Sequence, residues 1–191
     1  MAENEANAFR LLVICTANRF RSPVAEAFLR EGGDDVPLKV SSLGLTAREP
    51  RPPIEGAIAE AAALGVDISE HRSRPLRGES VAETDLVLGF ESIHVAEAVV
   101  EAGAPRERAF TILEFVCLGE RLQPPLILDP VERARRMVTA AHTQRFTAPA
   151  VDPTLEFPDP LAGPERAYPS VVARIRELSD RVLDVLFGPP S

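Results

Sequence analysis

The period of the apolar positions changes several times along the chain, and each change marks an element. Leu11–Cys15 is an unbroken apolar run, the pattern of a strand buried on both faces. From Ser22 to Glu31 the spacing becomes helical, with Pro23 in the first turn and Val24, Ala27 and Phe28 on one stripe. Leu38–Ser42, with Pro37 just before it, predicts a second strand. An alanine-rich helix over Ile54–Leu64 is closed by Gly65. Asp85–Phe90 predicts a third strand, followed by a helix around Ile93–Glu101. Ala109–Leu113 predicts a short fourth strand leading into a helix through Cys117. In Asp129-Pro130-Val131-Glu132 an N-cap, a proline at the first helical position and a glutamate completing a capping box start a helix from Pro130 to about His142. Thr147–Pro160 is proline-rich and is expected to be irregular. Val171, Val172, Ile175, Leu178, Val182, Leu183 and Leu186 form the stripe of a last helix, ended by Gly188-Pro189-Pro190.

Strands alternating with helices in this way predict the α/β class: a parallel sheet with helices on both faces, joined by right-handed crossovers. Ligands of such sheets bind beyond the carboxyl ends of the strands, near the point where strand order reverses. A chain of 191 residues, 45% of them hydrophobic, suits a single core. We expect one domain over residues 10–188, residues 1–9 as a flexible tail, and residues 120–158 as a longer helical and proline-rich segment.

Charge and cysteine content narrow the function classes. A formal net charge of −8 disfavours a phosphate-backbone binder, so no nucleic-acid partner is expected. No apolar run approaches the ~20 residues of a membrane span. The polar N-terminus has no signal-peptide core, so the expected setting is cytoplasmic with no membrane partner. Two cysteines fit free thiols in a reducing compartment rather than a disulfide framework. Cys117, in the run Phe115–Leu118, is expected to be a small core residue. No motif speaks to oligomeric state.

The most informative stretch is Arg10–Pro23. A strand delivers Cys15 to a loop, and Arg21 and Ser22 follow just before Pro23 opens a helix. Backbone N–H groups in such a loop form an anion nest, and the helix start adds positive potential. That field favours the thiolate, which is the attacking form. Arg21 offers a planar fork matched to two phosphate oxygens. The backbone from Thr16 through Ala17, Asn18, Arg19 and Phe20, together with Arg21 and Ser22, would then bind a phosphate that Cys15 attacks. Such chemistry needs a proton donor for the leaving oxygen. Three Asp-Pro dipeptides offer one: Asp129, Asp152 and Asp159. Asp129 is better explained as a helix cap. Between the other two we favour Asp159, because prolines on both sides hold its backbone extended. No His/Cys/Asp cluster has metal-ligand spacing, and neither metal nor cofactor is expected.

Together these residues resemble the low-molecular-weight protein tyrosine phosphatases, whose signature is Cys-x5-Arg-Ser near the N-terminus and a late Asp-Pro acid. The resemblance extends over Leu11–Leu118 and Glu156–Leu186, and includes Val40-Ser41-Ser42 and Asp67-Ile68-Ser69-Glu70-His71. It implies a four-stranded parallel sheet, with Cys15 as nucleophile, Arg21 as phosphate binder and Asp159 as general acid. Asn18, Ser22, Ser42 and His71 would be the hydrogen-bonded set supporting the loop and thiolate. The implied substrates are phosphorylated proteins or small phosphomonoesters.

The chain departs from the family pattern in several places. Ala17 stands where the family usually has glycine, so a positive φ there would be strained. Phe20 stands where a second cysteine is common. Arg19 replaces an uncharged residue on the loop rim, where it can attract a second anionic group on the substrate, point to solvent or pair with a carboxylate such as Glu91. Leu161 and Ala162 follow the Asp-Pro acid in place of aromatic residues, and Tyr168 is the nearest aromatic candidate. Two rival readings share the loop. A thioredoxin-coupled arsenate reductase needs further cysteines, of which only Cys117 is present. A non-catalytic phosphate-binding module would have no use for an Asp-Pro acid.

Overall fold

The apolar run around Leu11–Cys15 is buried because it lies in the middle of a sheet. In β1 (Phe9–Cys15) only Arg10 is exposed. Two parallel strands flank it: β2 (Leu38–Gly44), with Cys15 opposite Gly44, and β3 (Leu86–Gly89), with Ile14 opposite Gly89. β4 (Ala109–Thr111) pairs with β3, also parallel, so the strand order is β2-β1-β3-β4. This computed structural model describes residues 7–147 and 156–188.

Side chains alternate across β1, and the two sets build separate cores. Phe9, Leu11, Val13 and Cys15 face a large cluster supplied by α1 (Arg21–Gly32), α2 (Glu55–Ala63), α4 (Ile112–Gly119), α5 (Pro130–Thr147) and α6 (Tyr168–Phe187). Phe28 of α1 and Ile175 and Val182 of α6 are fully buried in it. Leu12 and Ile14 face a smaller cluster from α3 (Ser92–Ala102), joined by Leu76 and Val81 of the long connection before β3. Burying each large aliphatic or aromatic side chain contributes about 1.5–3 kcal/mol before chain entropy is charged against it. From β1 the chain runs through α1 to β2, then crosses back to β3 on the other side of β1. The carboxyl ends of β1 and β3 therefore frame the switch point where a ligand is expected.

Several boundaries differ from the pattern-based expectation. α1 begins at Arg21, and β2 runs on to Gly44. The fourth strand stops at Thr111, because that hydroxyl accepts from the Glu114 N–H (3.1 Å) while Glu114 reaches back to the Thr111 N–H (3.4 Å). This capping box turns Ile112 and Leu113 into the first turn of α4. Asp129 caps α5 through the Glu132 N–H (2.8 Å), but the Glu132 carboxylate pairs with Arg136 (2.8 Å). α5 runs past His142 to Thr147. Its last turn is held by Arg145, which pairs with Glu114 (2.7 Å) and stacks 3.6 Å from the Phe110 ring centre. α6 starts at Tyr168, with Pro169 in its first turn. Cys117 is half-buried rather than a core residue. No helix among the described residues is long and apolar enough to cross a membrane.

Candidate active site

The strand-to-helix connection after β1 is short, and its curl comes from one residue. Asn18 has φ 54°, the sole positive φ outside glycine among the described residues. Ala17 carries no such strain, because the left-handed step falls on a side chain type that tolerates it. Close seating of the loop also needs Gly44 across the sheet. A Cβ there would lie 2.8 Å from Ala17 C, Asn18 N and Asn18 Cβ.

Asn18 is fully buried and makes the bonds that hold the loop. Its Nδ2 donates to Ser22 Oγ (2.9 Å) and Ser42 Oγ (2.7 Å), and its Oδ1 accepts from the Arg74 N–H (2.9 Å). His71 Nε2 lies 3.1 Å from the Asn18 carbonyl and 3.2 Å from Oδ1; both are acceptors, so that nitrogen carries the proton. Burial holds His71 below the usual imidazole range against the pull of Glu26. The Ser42 hydroxyl donates to Glu26 Oε2 (2.5 Å). Ser22 already accepts from Asn18, so its hydroxyl is left to donate to Cys15 Sγ (3.0 Å). The Asn18 N–H also reaches that sulfur (3.3 Å). Two donors thus converge on one sulfur and fix its place in the loop. The N–H groups of Ala17, Arg19 and Phe20 donate to no protein acceptor among the described residues, which leaves them available to an oxyanion.

Arg21 opens α1 with its side chain 1% exposed, and its fork spans the switch point. Nη1 donates to Glu91 and to the Phe157 carbonyl (2.9 Å), while Nη2 meets Thr16 Oγ1 (3.0 Å) and Asp159 Oδ2 (3.0 Å). Asp159 thus lies beside the loop, half-exposed. Its other oxygen caps the short 3-10 turn Pro160–Ala162 through the Leu161 N–H (3.0 Å). The segment carrying it is fastened to β3 and α3. Phe157 N–H donates to the Phe90 carbonyl (2.9 Å), and the two rings meet edge-on at 5.4 Å. Glu156 accepts from both the N–H (3.0 Å) and the hydroxyl (2.5 Å) of Ser92, bonds that hold its carboxyl below the usual range. Asp152 lies outside the described residues. Asp129 stands at the start of α5 as a cap.

Two expectations about the rim need correction. Arg19 does not pair with Glu91, which Arg21 engages; its Nε donates to the Pro52 carbonyl (2.8 Å). Tyr168 is a core residue, buried edge-on against Phe20 at 4.9 Å. The described part of residues 120–158 reaches the site only through residues 156–158. α5 lies at the other end of the sheet, where Arg135 pairs with Asp85 (2.9 Å) at the start of β3.

Pattern reasoning missed Glu26, Gly44, Arg74 and His94, and it offered Glu91 to Arg19 where the structure gives it to Arg21. Only the Glu91-Ser92-Ile93-His94 spacing carried a signal: it forms a reciprocal capping box at the start of α3. His94 is fully buried, and its Nε2 lies 3.2 Å from Thr16 Oγ1. Burial, reinforced by the charge of Arg21, pushes its pKa down to about 4 against the opposing carboxylates Asp159 and Glu156. Among the described residues no group of three or more His, Cys, Asp or Glu side chains is arranged to hold a metal ion.

Comparison with known proteins agrees with this geometry. The family model described as low molecular weight phosphotyrosine protein phosphatase matches residues 10–141. The low molecular weight protein-tyrosine-phosphatase Etp of Escherichia coli is 36% identical over 135 residues, covering 71% of this chain and 84% of the relative. Wzb of Salmonella typhi is 31% identical over 70% of this chain and 85% of its own length. Among solved structures, the phosphatase of T. tengcongensis superposes with a TM-score of 0.67 at 24% identity, covering 93% of this chain and 99% of that one. The YwlE arginine phosphatase of Geobacillus stearothermophilus gives 0.63 at 22% identity, covering 92% and 91%. At that identity the two structures speak to fold alone, whereas the sequence matches reach further: this chain is a phosphatase of the low-molecular-weight phosphotyrosine protein phosphatase family.

Proposed function

We propose that the chain hydrolyses phosphotyrosine in proteins through a phosphocysteine intermediate, with Cys15, Arg21 and Asp159 as its catalytic residues. The observation that carries this reading is the convergence on Cys15 Sγ of the Ser22 hydroxyl and the Asn18 N–H, with Arg21 and Asp159 in contact beside the loop. Cys15 attacks phosphorus in line, forming the S–P bond as the bond to the tyrosine oxygen breaks. Arg21 and the loop N–H groups hold the equatorial oxygens, whose charge grows in the transition state. Asp159 gives its proton to the departing oxygen. As a carboxylate it then takes a proton from the water that attacks phosphorus, which breaks the S–P bond and frees phosphate and the Cys15 thiolate. The phosphotyrosine assignment rests on the names of relatives more than 30% identical. The free thiols suit a reducing, cytoplasmic setting. An arsenate reductase cascade would need a second thiol near the loop, whereas the residue before Arg21 is Phe20 and Cys117 sits on α4 against α6.

Phosphate release from phosphotyrosine peptides tests this reading. Cys15→Ser should abolish turnover and retain phosphopeptide binding. Asp159→Asn should slow release about a hundredfold or more, the usual worth of a general acid. Residual Cys15→Ser activity within tenfold of wild type would overturn the nucleophile assignment.

A further inference from the structure

We infer that the groove beside the phosphate loop is a second anion subsite, which selects phosphotyrosine segments flanked by Asp or Glu; the inference rests on the phosphatase reading above and extends it to substrate class. The groove is a cavity of about 320 Å³ bounded on one side by Ala17 and Arg19 of the loop and on the other by the connection after β2. Arg19, Arg48 and Arg51 line it, and Glu49 is its one carboxylate.

Its walls are fixed to the phosphate loop by backbone bonds. Thr46 N–H donates to the Thr16 carbonyl (2.8 Å), and Ile54 N–H to the Arg19 carbonyl (3.1 Å), so both ends of the connection are stapled to the loop. Between them the buried Ser73 hydroxyl accepts from the Arg51 N–H (3.0 Å) and donates to the Glu49 carbonyl (3.0 Å). Arg19 is aimed by its Nε bond to the Pro52 carbonyl, and its two terminal nitrogens have no partner among the described residues. The side chains of Arg48 and Arg51 likewise donate to no protein group among those residues. On α6, by contrast, Arg174, Arg176 and Arg181 each pair with carboxylates.

Three guanidinium groups with no carboxylate partner among the described residues, set around a preformed groove, suit carboxylates, which such forks bind bidentately. The surrounding charge sharpens the choice. The chain as a whole carries −8, so an acidic partner is repelled elsewhere and attracted at this face. Because the groove adjoins the loop that holds the scissile phosphate, the carboxylates it takes are those of residues neighbouring the phosphotyrosine.

The test compares kcat/KM for three phosphotyrosine peptides of equal length with acidic, neutral and basic flanks, at low salt and at about 0.3 M salt. We expect an acidic-over-neutral ratio of about fivefold to tenfold at low salt, the size that two or three exposed ion pairs supply, shrinking to about twofold in high salt. The exposed double variant Arg48→Ala/Arg51→Ala should bring the low-salt ratio to within about twofold of unity. A wild-type ratio near one, or a ratio kept by the double variant, overturns the subsite. Fluorescence anisotropy of the same labelled peptides on Cys15→Ser gives a readout independent of turnover. If no peptide is hydrolysed, the phosphatase reading fails by itself, and equal binding of acidic and neutral peptides would still overturn the subsite.

Discussion

His94 Nε2 lies 3.2 Å from Thr16 Oγ1 and links the start of α3 to the first residue of the loop after β1. The other ring nitrogen accepts the Glu91 N–H (3.0 Å), so the proton sits on Nε2 and is donated to Thr16. Arg21 Nη2 donates to the same oxygen (3.0 Å). With its acceptor sites taken, the Thr16 hydroxyl is left as a donor at the edge of the loop. A neutral imidazole sets this orientation, and burial is the main cause of its staying neutral.

That state has a pH signature. His94 titrates at 6.5 when unfolded and at about 4 when folded, so across that window the unfolded chain takes up a proton that the native one refuses. The contribution is fully present above pH 6.5 and is lost as pH falls towards 4, to a total of about 3 kcal/mol. His94→Gln removes this titration. In urea unfolding, the stability gap between wild type and variant should be widest at neutral pH and should narrow by about pH 4.5. A gap that stays constant with pH would show that His94 does not titrate this way.

Asn18 combines a backbone role with a side-chain role, and two substitutions separate them. Asn18→Gly keeps the left-handed turn and loses the bonds to Ser22 and Ser42, while Asn18→Ala loses both. Both should reduce kcat/KM about a hundredfold, because the Ser22 hydroxyl is no longer directed at the sulfur. Asn18→Ala should be less stable than Asn18→Gly by about 1 kcal/mol, the cost of a left-handed Cβ. Equal urea midpoints for the two variants would contradict the backbone part.

Gly44→Ala tests the seating of the loop from the opposite strand. The added methyl meets Ala17 and Asn18 backbone at 2.8 Å, and neither can rotate away. A loop shift of a few tenths of an ångström to about 1 Å should lower kcat/KM by about tenfold to a hundredfold. Thermal denaturation should still report a folded chain, since the sheet register is unaltered. Wild-type kinetics in the variant would mean that the loop tolerates the shift.

Oxidation of Cys15 should be hard to reverse. The neighbouring position is Phe20, buried against Tyr168, and Cys117 is a free thiol on α4, so a sulfenic acid at Cys15 meets no partner thiol in the loop. Peroxide should carry it on to sulfinic and sulfonic acids. After prolonged treatment dithiothreitol should restore little activity. Full recovery, or a Cys15–Cys117 disulfide in the mass spectrum, would refute this.

Local patterns made the α/β architecture and the loop from Cys15 to Arg21 legible. The unbroken run Leu11–Cys15 has the pattern of a buried strand, and the Cys15, Arg21 and Ser22 spacing before Pro23 describes a strand, loop and helix start in one stretch. Boundaries shifted where side chains decided them, as at Thr111, where a capping box competes with strand propensity, and at Arg145, which lengthens α5 through Glu114 and Phe110.

The sequence by itself determined which residues have the chemistry: a thiol at a strand end, a guanidinium six residues on, and an aspartate between prolines. Only the tertiary structure decided which groups stand around them. Glu91 and His94 come to the site because β3 lies beside β1, 70 and 78 residues away in sequence from Arg21 and Thr16. Arg19 turns to Pro52 rather than Glu91, and Tyr168 to Phe20 rather than the rim. A parallel sheet joins distant segments at the carboxyl ends of its strands. The partners there are fixed by strand order and register, which no local spacing encodes.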